Sequence, residues 1–355
     1  MLDEILKRSS PDWMDGSGPD SDVIISSRVR LARNLKRYPF PHMMTKSSAE
    51  SLIADVGAAT AALNQSGGWG SFELEHMNDI PALDRQVLIE KHLISPQHAQ
   101  DPAGKAVILR GDESVTIMVN EEDHLRIQCL FSGLQIQQAY VLASGVDDVL
   151  ESSLEYAFSS QHGYLTACPT NVGTGMRASV MVHLPGLVAT NQAGRVLPAI
   201  GKLGVAVRGL YGEGTEASGN VFQISNQITL GQSEAEVLNN LAGISGQITD
   251  QERKARALLV AQAREQLEDR VWRAYGVLRT ARILSSEEAL RLWSEMRLGT
   301  ESGIIKGLSR KVVNELLVAT RPAFLQHLEG REMTPAERDV KRASLVRERL
   351  KAGGL

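Results

Sequence analysis

The chain has 355 residues, of which 43% are hydrophobic and 23% are charged, and its formal net charge at pH 7 is −4. This is the composition of a globular protein long enough for one large and one smaller domain, and the acidic balance argues against a general nucleic-acid-binding protein. No stretch reaches the ~20 apolar residues that span a bilayer, and the first ten residues lack the apolar core of a signal peptide. Two cysteines, Cys129 and Cys168, cannot build a disulfide framework, and no Cys/His cluster suggests a structural metal. We therefore expect a cytoplasmic protein without membrane association.

Up to about residue 230, strand-like runs alternate with turns and two helical patterns. The runs are short, rich in β-branched residues and bounded by Gly, Asp or Pro, which predicts an α+β fold with a largely antiparallel sheet. One helix is predicted to open with a capping box of Ser47 and Glu50, and another to span roughly residues 134–158 with a break near Gly145. The strand-like runs are 22–25, 106–109, 115–120, 125–130, 178–184 and 204–208.

From Ser233 onward the strand signals stop, and the pattern predicts an all-helical region. Apolar residues recur at three- and four-residue spacing between residues 250 and 278, which predicts one long amphipathic helix. Gly243, Ser245 and Gly246 interrupt the pattern, so we place a boundary between a mixed domain, 1–245, and a helical domain, 246–355. Capping boxes are predicted for Thr249 with Glu252, Ser285 with Glu288 and Thr334 with Glu337.

A group of arginines follows the first strand-like run. Strand alternation places Arg28 and Arg30 on one face, where two guanidinium groups suit one polyphosphate. Together with Arg33, the group also fits a nucleic-acid-binding or nuclear-localisation segment, although it is short and lies inside a predicted sheet. Either interpretation makes these side chains candidates for anion binding.

The segment NEEDHLR at 120–126 places three consecutive carboxylates at the entrance of a strand. Like charges this close raise one another's pKa, which suits a base that takes a proton from a weak acid. Alternation would put Glu122 and Arg126 on one face, and Glu121 and Asp123 on the other. Glu122 and Arg126 are therefore the inward candidates, and a solvated acidic turn is the alternative.

Two glycine-containing segments carry further candidates. CPTNVGTG places the thiol of Cys168 before a turn whose glycines would let the backbone approach an anion, and Arg177 follows. VRGLYGEGTE has Arg208 leaving a strand and Glu213 near the tip of a loop that would close over a ligand. A structural cysteine in a plain turn and an ordinary hairpin are the alternatives.

Taken together, arginines on separate elements, spaced carboxylates and a thiol suit a nucleoside triphosphate and a cationic acceptor. Arginines neutralise charge during phosphoryl transfer, whereas carboxylates would repel the triphosphate and must serve the acceptor or Mg²⁺. The sequence has neither a Walker A motif nor the glycine-rich loop and HRD set of protein serine and tyrosine kinases.

Four segments in order resemble the hallmarks of the phosphagen (guanidino) kinase family over roughly residues 20–245: SSRVR, NEEDH, CPTNVGT and RGLYGEGTE. The resemblance implies phosphoryl transfer from ATP, with Mg²⁺, to a guanidinium group. It also implies that Glu122 and Glu213 grip the acceptor and that Cys168 lies beside it as a thiolate. The nucleotide ligands that it implies are Arg28, Arg30, Arg126, Arg177 and Arg208 on the phosphates and His92 against the adenine.

Met181 and Gln223 stand where small-molecule members of the family carry histidine and aspartate, which leaves the nucleoside contacts open. In those members a helical domain precedes the SSRVR run, whereas here the run begins at Ser26 and a helical region follows instead. Both features resemble the bacterial protein-arginine kinases of the McsB type. They imply an acceptor pocket open enough for an arginine on a polypeptide.

The same resemblance implies that Arg338 and Asp339 belong to a regulatory pocket for phosphoarginine, whereas their charge pattern alone indicates a solvated helix face. It also implies a Clp-type protease that degrades the marked proteins, stress-response regulators as substrates and a zinc-binding activator. The apolar stripe of the helical domain predicts a homodimer or larger homo-oligomer. Two alternatives stay open: a kinase for free arginine or another small guanidine, and a catalytically weak adaptor that binds phosphoarginine.

Overall fold

The computed structural model describes residues 1–209 and 218–353. Its strands are β1 (Ile24–Arg33), β2 (Phe72–His76), β3 (Ala106–Arg110), β4 (Val115–Val119), β5 (Leu125–Ser132), β6 (Phe158–Ser159), β7 (Gly163–Tyr164), β8 (Met176–His183), β9 (Val205–Gly209) and β10 (Val221–Asn226). Within these ranges, eight strands form one antiparallel sheet in the order β2-β3-β4-β5-β1-β8-β10-β9, and β6 pairs with β7. The predicted α+β class is confirmed, although the sequence did not predict β2 or β10.

Helices cover this sheet. In the described part of the chain beyond Ser233, all regular elements are helices. Within the described residues, no helix is long and apolar enough to cross a membrane. The helices are α1 (Leu2–Lys7), α2 (Lys46–Gln65), α3 (Ala82–Glu90), α4 (Pro96–Ala99), α5 (Ile136–Glu151), α6 (Pro185–Ala189), α7 (Ala193–Gly201), α8 (Glu234–Gln262), α9 (Arg264–Thr280), α10 (Ser286–Glu301), α11 (Arg310–Ala319), α12 (Pro322–Glu329) and α13 (Pro335–Ala352).

Both faces of the sheet are buried because its strands alternate between two hydrophobic cores. Ile108 on β3 belongs to the core that also contains residues of α2, α5 and α8. Its neighbours Val107 and Leu109 belong to the core that contains residues of α1, α3 and α9 to α13. Sheets covered on both faces have apolar strands throughout, and every residue of β4 is buried. Within the helical region, α8 therefore packs on one face of the sheet and α9 to α13 pack on the other.

The helical region reaches this second face through a break at Ala263. The helix α8 ends one residue earlier, and Ala263 has a φ of −142°, so that α9 starts in a new direction. The single helix predicted over 250–278 is therefore two helices. Gly243 and Gly246 lie inside α8 without interrupting it. The division of the chain into domains at residue 245 stays a prediction, and the helix itself continues across that point.

Of the three capping boxes predicted in the helical region, that of Thr334 and Glu337 is complete, and at Ser285 only the N-cap hydrogen bond forms. Ser285 and Thr334 cap α10 and α13, and each side chain accepts the N–H group three residues on. The prediction for Thr249 and Glu252 is wrong, since Thr249 is buried inside α8. Glu252 instead accepts two N–H groups at the start of α6, at 2.8 and 2.9 Å. A carboxylate of one helix thus caps another that lies far away in the sequence.

Two other expected helix features differ for local and long-range reasons. The helix α2 begins after Thr45, whose side chain accepts the N–H group of Ser48, so the predicted box of Ser47 and Glu50 does not form. The helix α5 has no break at Gly145. A Cβ atom at Gly145 would lie 2.1 Å from the ring of Trp69. This glycine is therefore required by the close approach of a distant side chain.

Candidate active site

The arginines of the sequence motifs converge on one face of the sheet. Arg28 and Arg30 point to the same face of β1, and Arg30 lies opposite Arg177 of β8. Arg126 lies at the start of β5, next to β1, and Arg208 lies near the end of β9. All five line one cavity of about 430 Å³. Antiparallel pairing therefore brings together charges that are up to 180 residues apart, from Arg28 to Arg208.

Burial and mutual repulsion make this cluster electrostatically unfavourable. Burial, followed by the charges of Arg126 and Arg177, lowers the pKa of Arg28 to about 10. Burial and the charge of Arg28 hold the pKa of Arg30 well below its usual range. Burial and the charge of Arg208 also lower the pKa of Arg177. A bound anion would relieve this repulsion, because an opposite charge nearby favours the protonated form.

The hydrogen bonds that Arg28 and Arg177 form within the described part of the chain go to neutral side chains. Arg28 donates to Oε1 of Gln223 at 2.8 Å, and Arg177 donates to Oγ of Ser225 at 3.2 Å. The Nε atoms of Arg30 and Arg177 are buried and have no hydrogen-bond partner in the described part of the chain. A buried donor without an acceptor costs free energy. The cavity is therefore arranged to receive anionic oxygens.

Two neighbouring carboxylates hold Arg126. The oxygens of Glu121 and Glu122 lie 2.7 and 2.8 Å from its terminal nitrogens. The prediction that alternation separates these two carboxylates is wrong, because residues 120–124 form a turn in which Asn120 has a φ of 60°. The side chain of Glu121 is only 4% exposed, whereas that of Glu122 is 41% exposed and borders the cavity. Glu122 is thus the carboxylate that a ligand in the cavity would meet.

The third acid of the run, Asp123, connects this turn to the cysteine segment. Its buried carboxylate accepts the side-chain amide of Asn34 and the N–H group of Ala167, each at 2.7 Å. Burial raises the pKa of Asp123, while these two donors act in the opposite direction. The hydrogen bond to Ala167 fixes the residue before Cys168 relative to the acidic turn. Asp123 therefore has a structural position, outside the cavity lining.

Cys168 borders the cavity at the start of a short 3-10 turn. Its Sγ lies 3.0 Å from Oγ1 of Thr170. The glycines that follow are needed for a different reason from the predicted approach of an anion. Gly173 has a φ of 110°, and a Cβ there would lie 2.3 Å from the carbonyl oxygen of Thr229. Gly175 has a φ of 62°, and a Cβ there would lie 2.6 Å from the carbonyl oxygen of Ala32 in β1. The protein's own backbone excludes side chains at both positions.

A second cavity, of about 520 Å³, continues the first. Both are bordered by Arg28, Arg30, Arg126 and Gln223, so they form the two ends of one cleft. One end is lined by the arginines, Glu122 and Cys168. The other end carries His92 and more apolar side chains. A charged end joined to a less polar end suits a nucleotide, with phosphates at one end and a base at the other.

His92 lies in this second end with its conformation fixed by its surroundings. It has a φ of 58°, its ring meets Trp13 edge-on at 5.8 Å, and its carbonyl oxygen accepts a hydrogen bond from Gln128 at 2.9 Å. Burial, followed by the charge of Arg28, lowers the pKa of His92 to about 3. The imidazole is therefore neutral at pH 7 and adds no charge beside the arginines.

Sequence reasoning anticipated only part of the second end. Gln223 borders both ends of the cleft, while Met181, opposite it in the sheet register, is 8% exposed and belongs to the core. Ser286, Arg321 and Pro322 also border the second end, and they come from the helical region. No motif marks these three residues, so only the packing of that region on the sheet reveals them.

The remaining candidates lie elsewhere. Glu213 lies in 210–217, outside the described residues. Arg338 and Asp339 lie in α13 and do not border either end of the cleft. Arg338 donates to the carbonyl oxygen of Met333 at 2.9 Å, and the carboxylate of Asp339 accepts from Arg342 at 2.5 Å. Each thus has a nearby partner on or next to its own helix.

An antiparallel sheet with five arginines, a carboxylate and a thiol at one cleft defines a guanidino phosphotransferase, a phosphagen-kinase-type enzyme. A family model described as ATP:guanido phosphotransferase, C-terminal catalytic domain, matches residues 56–255. A second, described as Protein-arginine kinase McsB C-terminal domain, matches residues 264–354. The two matches end and begin on either side of Ala263, where the helical region changes face.

Curated relatives give the same assignment over nearly the whole chain. A protein-arginine kinase of Moorella thermoacetica is 57% identical over 345 residues, which are 97% of this chain and 98% of that protein. One of Pelotomaculum thermopropionicum is 56% identical over 346 residues, covering 98% and 97%. The chain belongs to the protein-arginine kinases of the phosphagen kinase family, and it is an ATP-using phosphotransferase.

Solved structures confirm the predicted fold. The duplicated taurocyamine kinase from Schistosoma mansoni, with bound transition state analog components, has a TM-score of 0.60 at 26% identity. The match covers 71% of this chain and 38% of that one. A lombricine kinase has a TM-score of 0.57 at 24% identity, covering 72% and 71%, and supports the fold alone.

Proposed function

We propose that this chain phosphorylates arginine side chains of proteins by direct in-line transfer of the γ-phosphoryl group of ATP. The observation that carries the proposal is the cleft, in which five arginines converge and the buried Nε atoms of Arg30 and Arg177 have no hydrogen-bond partner within residues 1–209 and 218–353. The names of the curated relatives supply the class of acceptor. The cleft supplies the means to bind the donor.

On the donor side, the arginine end of the cleft binds the triphosphate and the end with His92 receives the nucleoside. Guanidinium groups from four strands neutralise the charge that develops on the transferred group and hold it in line with the acceptor. The neutral imidazole of His92 lies against the base. The phosphate ligands that we propose are Arg28, Arg30, Arg126, Arg177 and Arg208.

On the acceptor side, Glu122 aligns the substrate guanidinium and takes its proton. A guanidinium has a pKa above ~12 and must lose a proton as its nitrogen attacks phosphorus. The N–P bond forms, the bond from phosphorus to the oxygen of ADP breaks, and the proton goes to the Glu122 carboxylate. We propose that Glu213 grips the same guanidinium and that Cys168, as a thiolate, adds negative charge beside it.

Mg²⁺ fits this site only as a companion of the triphosphate. Residues 1–209 and 218–353 contain no group of three or more His, Cys, Asp or Glu side chains that could hold a metal ion. Glu121 is already committed to Arg126. Mg²⁺ commonly binds through substrate phosphates and keeps several waters. When bound, it would neutralise part of the phosphate charge, while the chain's own residues orient the two substrates.

A groove beside the cleft supports a polypeptide acceptor. It has a volume of about 580 Å³, and Glu122 borders both the groove and the cleft. Lys46 and Lys105 also line it. A chain lying in this groove would present its arginine to Glu122. A free amino acid would leave the groove unused.

The test is to incubate the full chain with ATP, Mg²⁺ and a casein-like protein, and to identify the phosphorylated residue. We expect acid-labile phosphate on arginine, and loss of that product with Glu122→Ala while folding is preserved. A coupled ADP-release assay with free arginine separates a small-guanidine kinase from a protein kinase. Phosphate on serine alone, or none at all, would refute the proposal and leave the adaptor alternative.

Wider roles are part of the proposal. We propose that the marked proteins include stress-response regulators and substrates of a Clp-type protease in the cytoplasm, and that a zinc-binding activator assists. We also propose that the helical region mediates dimerisation or larger assembly, and that Arg338 and Asp339 bind phosphoarginine. Phosphosite mapping after incubation with a cell extract tests the first group, and sedimentation tests the assembly.

A further inference from the structure

We propose that the helical region completes the nucleoside end of the ATP cleft and that Glu90 is the positioning residue that holds it there. This inference rests on the proposed binding of ATP in the cleft. It predicts that the contact between Glu90 and the start of α12 sets the affinity for ATP. It assigns to the region a part in the catalytic site itself, besides the assembly and regulation proposed above.

The nucleoside end of the cleft is lined by residues from two parts of the chain. Its lining includes His92 from the segment after α3, and Ser286, Arg321 and Pro322 from the helical region. Ser286 is the first residue of α10, and Arg321 occupies the N-cap position of α12. The two parts of the chain therefore face each other across the same 520 Å³ cavity. A nucleoside bound there would contact both.

Glu90 provides the link that fixes this arrangement. The Glu90 carboxylate accepts the N–H groups of Ala323 and Phe324, at 2.9 and 2.8 Å. These belong to the first turn of α12, where N–H groups have no partner within the helix and the helix dipole favours a negative charge. Burial raises the pKa of Glu90, and the two N–H donors and the charges of Arg321 and Arg342 act in the opposite direction. Glu90 itself also borders the nucleoside end.

Glu90 lies in a short rigid segment with Lys91 and His92. The next residue, Lys91, is fully buried, forms an ion pair with Glu113 at 2.6 Å and donates to the carbonyl oxygen of Arg8 at 2.9 Å. The residue after that is His92, in its left-handed conformation. Three consecutive residues thus hold the helical region, the amino-terminal helix and the nucleoside end. Only Lys91 separates Glu90 from His92, so a shift of α12 that moves Glu90 would also move His92.

Arg342 connects this link to the last helix, α13. Arg342 of α13 donates to the carbonyl oxygen of Thr320 at 2.8 Å, directly before Arg321. Its other contacts include the carboxylate of Asp339 and the carbonyl oxygen of Leu284. The turn that carries Arg321 is therefore held from α13 on one side and from Glu90 on the other. Any partner that displaces α13 would alter the nucleoside end, and by reciprocity ATP would alter the affinity for that partner.

A matched control exists on the same pair of helices. Asp84 of α3 contacts His327 of α12 at 2.7 Å, so Asp84→Asn also weakens the packing of α12 on α3. Asp84 does not border the cleft. A general loss of packing would affect both variants, whereas a role in the nucleoside site would affect the Glu90 variant alone.

The experiment measures nucleotide binding and kinetics of the full chain carrying Glu90→Gln or Asp84→Asn. We expect Glu90→Gln to raise the KM for ATP and the Kd for ADP roughly tenfold, about 1.4 kcal/mol, with kcat within about twofold of wild type. Binding of inorganic tripolyphosphate should be unchanged, because it occupies only the arginine end. Asp84→Asn should lower the melting temperature without changing any of these constants.

Two results would overturn the inference: unchanged ADP affinity in Glu90→Gln, or equal losses for ADP and tripolyphosphate. If Glu90→Gln does not fold, amide hydrogen exchange of wild-type α12 decides. ADP should slow exchange at Ala323 and Phe324, and no slowing would contradict the inference. Failure of the wild type to bind ADP would refute the proposed function instead, so the two failures are distinct.

Discussion

In the cleft Arg30 is half-buried, in the cores Arg33 and Arg256 are buried, and the two kinds of arginine also differ in their partners. In the cores, Arg33 contacts the carboxylate of Asp147 at 2.7 Å, and Arg256 contacts that of Glu252 at 2.6 Å. In the cleft, the buried Nε of Arg30 has no acceptor among the residues that the structure describes, and Arg30 lies among other cations. A buried charge is tolerated when it is paired. Among these three arginines, the one without a carboxylate partner in the described part of the chain is the one that lines the cleft.

The strongest test of this comparison is to replace Arg30 and Arg33, which lie on the same strand, separately by methionine. Methionine keeps much of the side-chain length and removes the charge. Arg30→Met should lower kcat/KM for ATP by ~10³-fold or more, because arginines that contact the transferred phosphate are worth that much. Its stability should stay equal or rise, since repulsion within the cluster is relieved. Arg33→Met should cost about 3–5 kcal/mol of unfolding free energy, because Asp147 is left buried and unpaired.

Denaturant unfolding and a kinase assay on both variants provide the measurements. Similar unfolding free energies for Arg30→Met and Arg33→Met would contradict the distinction between ligand-binding and structural arginines. Retained activity in Arg30→Met would remove it from the phosphate site.

The two carboxylates on Arg126 sharpen the comparison further. Glu122→Gln should lower kcat by ~10²–10⁴-fold with little effect on stability, because a general base is lost from a half-exposed position. Glu121→Gln removes a nearly buried ion pair and a hydrogen bond from Ser95 at 2.7 Å. We expect a cost of about 1–3 kcal/mol in unfolding free energy. A larger loss of kcat from Glu121→Gln than from Glu122→Gln would reverse the roles.

The two cysteines repeat the same contrast on a smaller scale. Cys168 borders the cleft, while Cys129 is buried in β5, where burial raises the pKa of its thiol. Cys168→Ser should reduce turnover roughly tenfold, about 1.4 kcal/mol of transition-state stabilisation, without abolishing it. Cys129→Ser should lower the melting temperature and leave turnover unchanged. Wild-type turnover in Cys168→Ser would exclude the thiolate from the mechanism.

The buried histidines His92, in the cleft, and His98 should change the free energy of unfolding with pH in the same direction. This is the smallest effect that we expect. Burial lowers the pKa of His92 to about 3 and that of His98 to about 4, both below the ~6.5 of an unfolded chain. The unfolded state therefore binds more protons, so their contribution to stability is complete above pH ~6.5 and falls as pH decreases toward 4. Unfolding free energies at pH 7.5, 6.5 and 5.5 should decrease in that order. His98→Gln should make this slope shallower, and an unchanged slope would contradict the assignment.

The success of sequence reasoning depended on how local each feature is. Alternation along one strand correctly placed Arg28 and Arg30 on the same face. The caps at Ser285 and Thr334 involve residues three positions apart, and both are correct. Alternation failed at Glu121, because a turn replaces the strand there. It is the backbone path of that turn that brings two adjacent carboxylates onto one arginine.

Features that depend on distant residues could not be predicted. Gly145 is required by the ring of Trp69, and Glu252 caps a helix more than sixty residues away in the sequence. The same is true of Arg321, which borders the nucleoside end although no motif surrounds it. Each of these roles is created when two elements pack, so the residue alone carries no signal.

By itself, the sequence determined the α+β class, the helical carboxy-terminal region and the set of arginines, carboxylates and thiol through four ordered motifs. Those properties follow from periodicity and from residue types at short spacing. Only the tertiary structure decided which arginines are paired and which are not, and that the helical region borders the cleft. The physical reason is that burial and ion pairing depend on neighbours in space. The same guanidinium group is ion-paired in Arg33, beside Asp147, and lies beside another cation in Arg30, opposite Arg177 in the cleft.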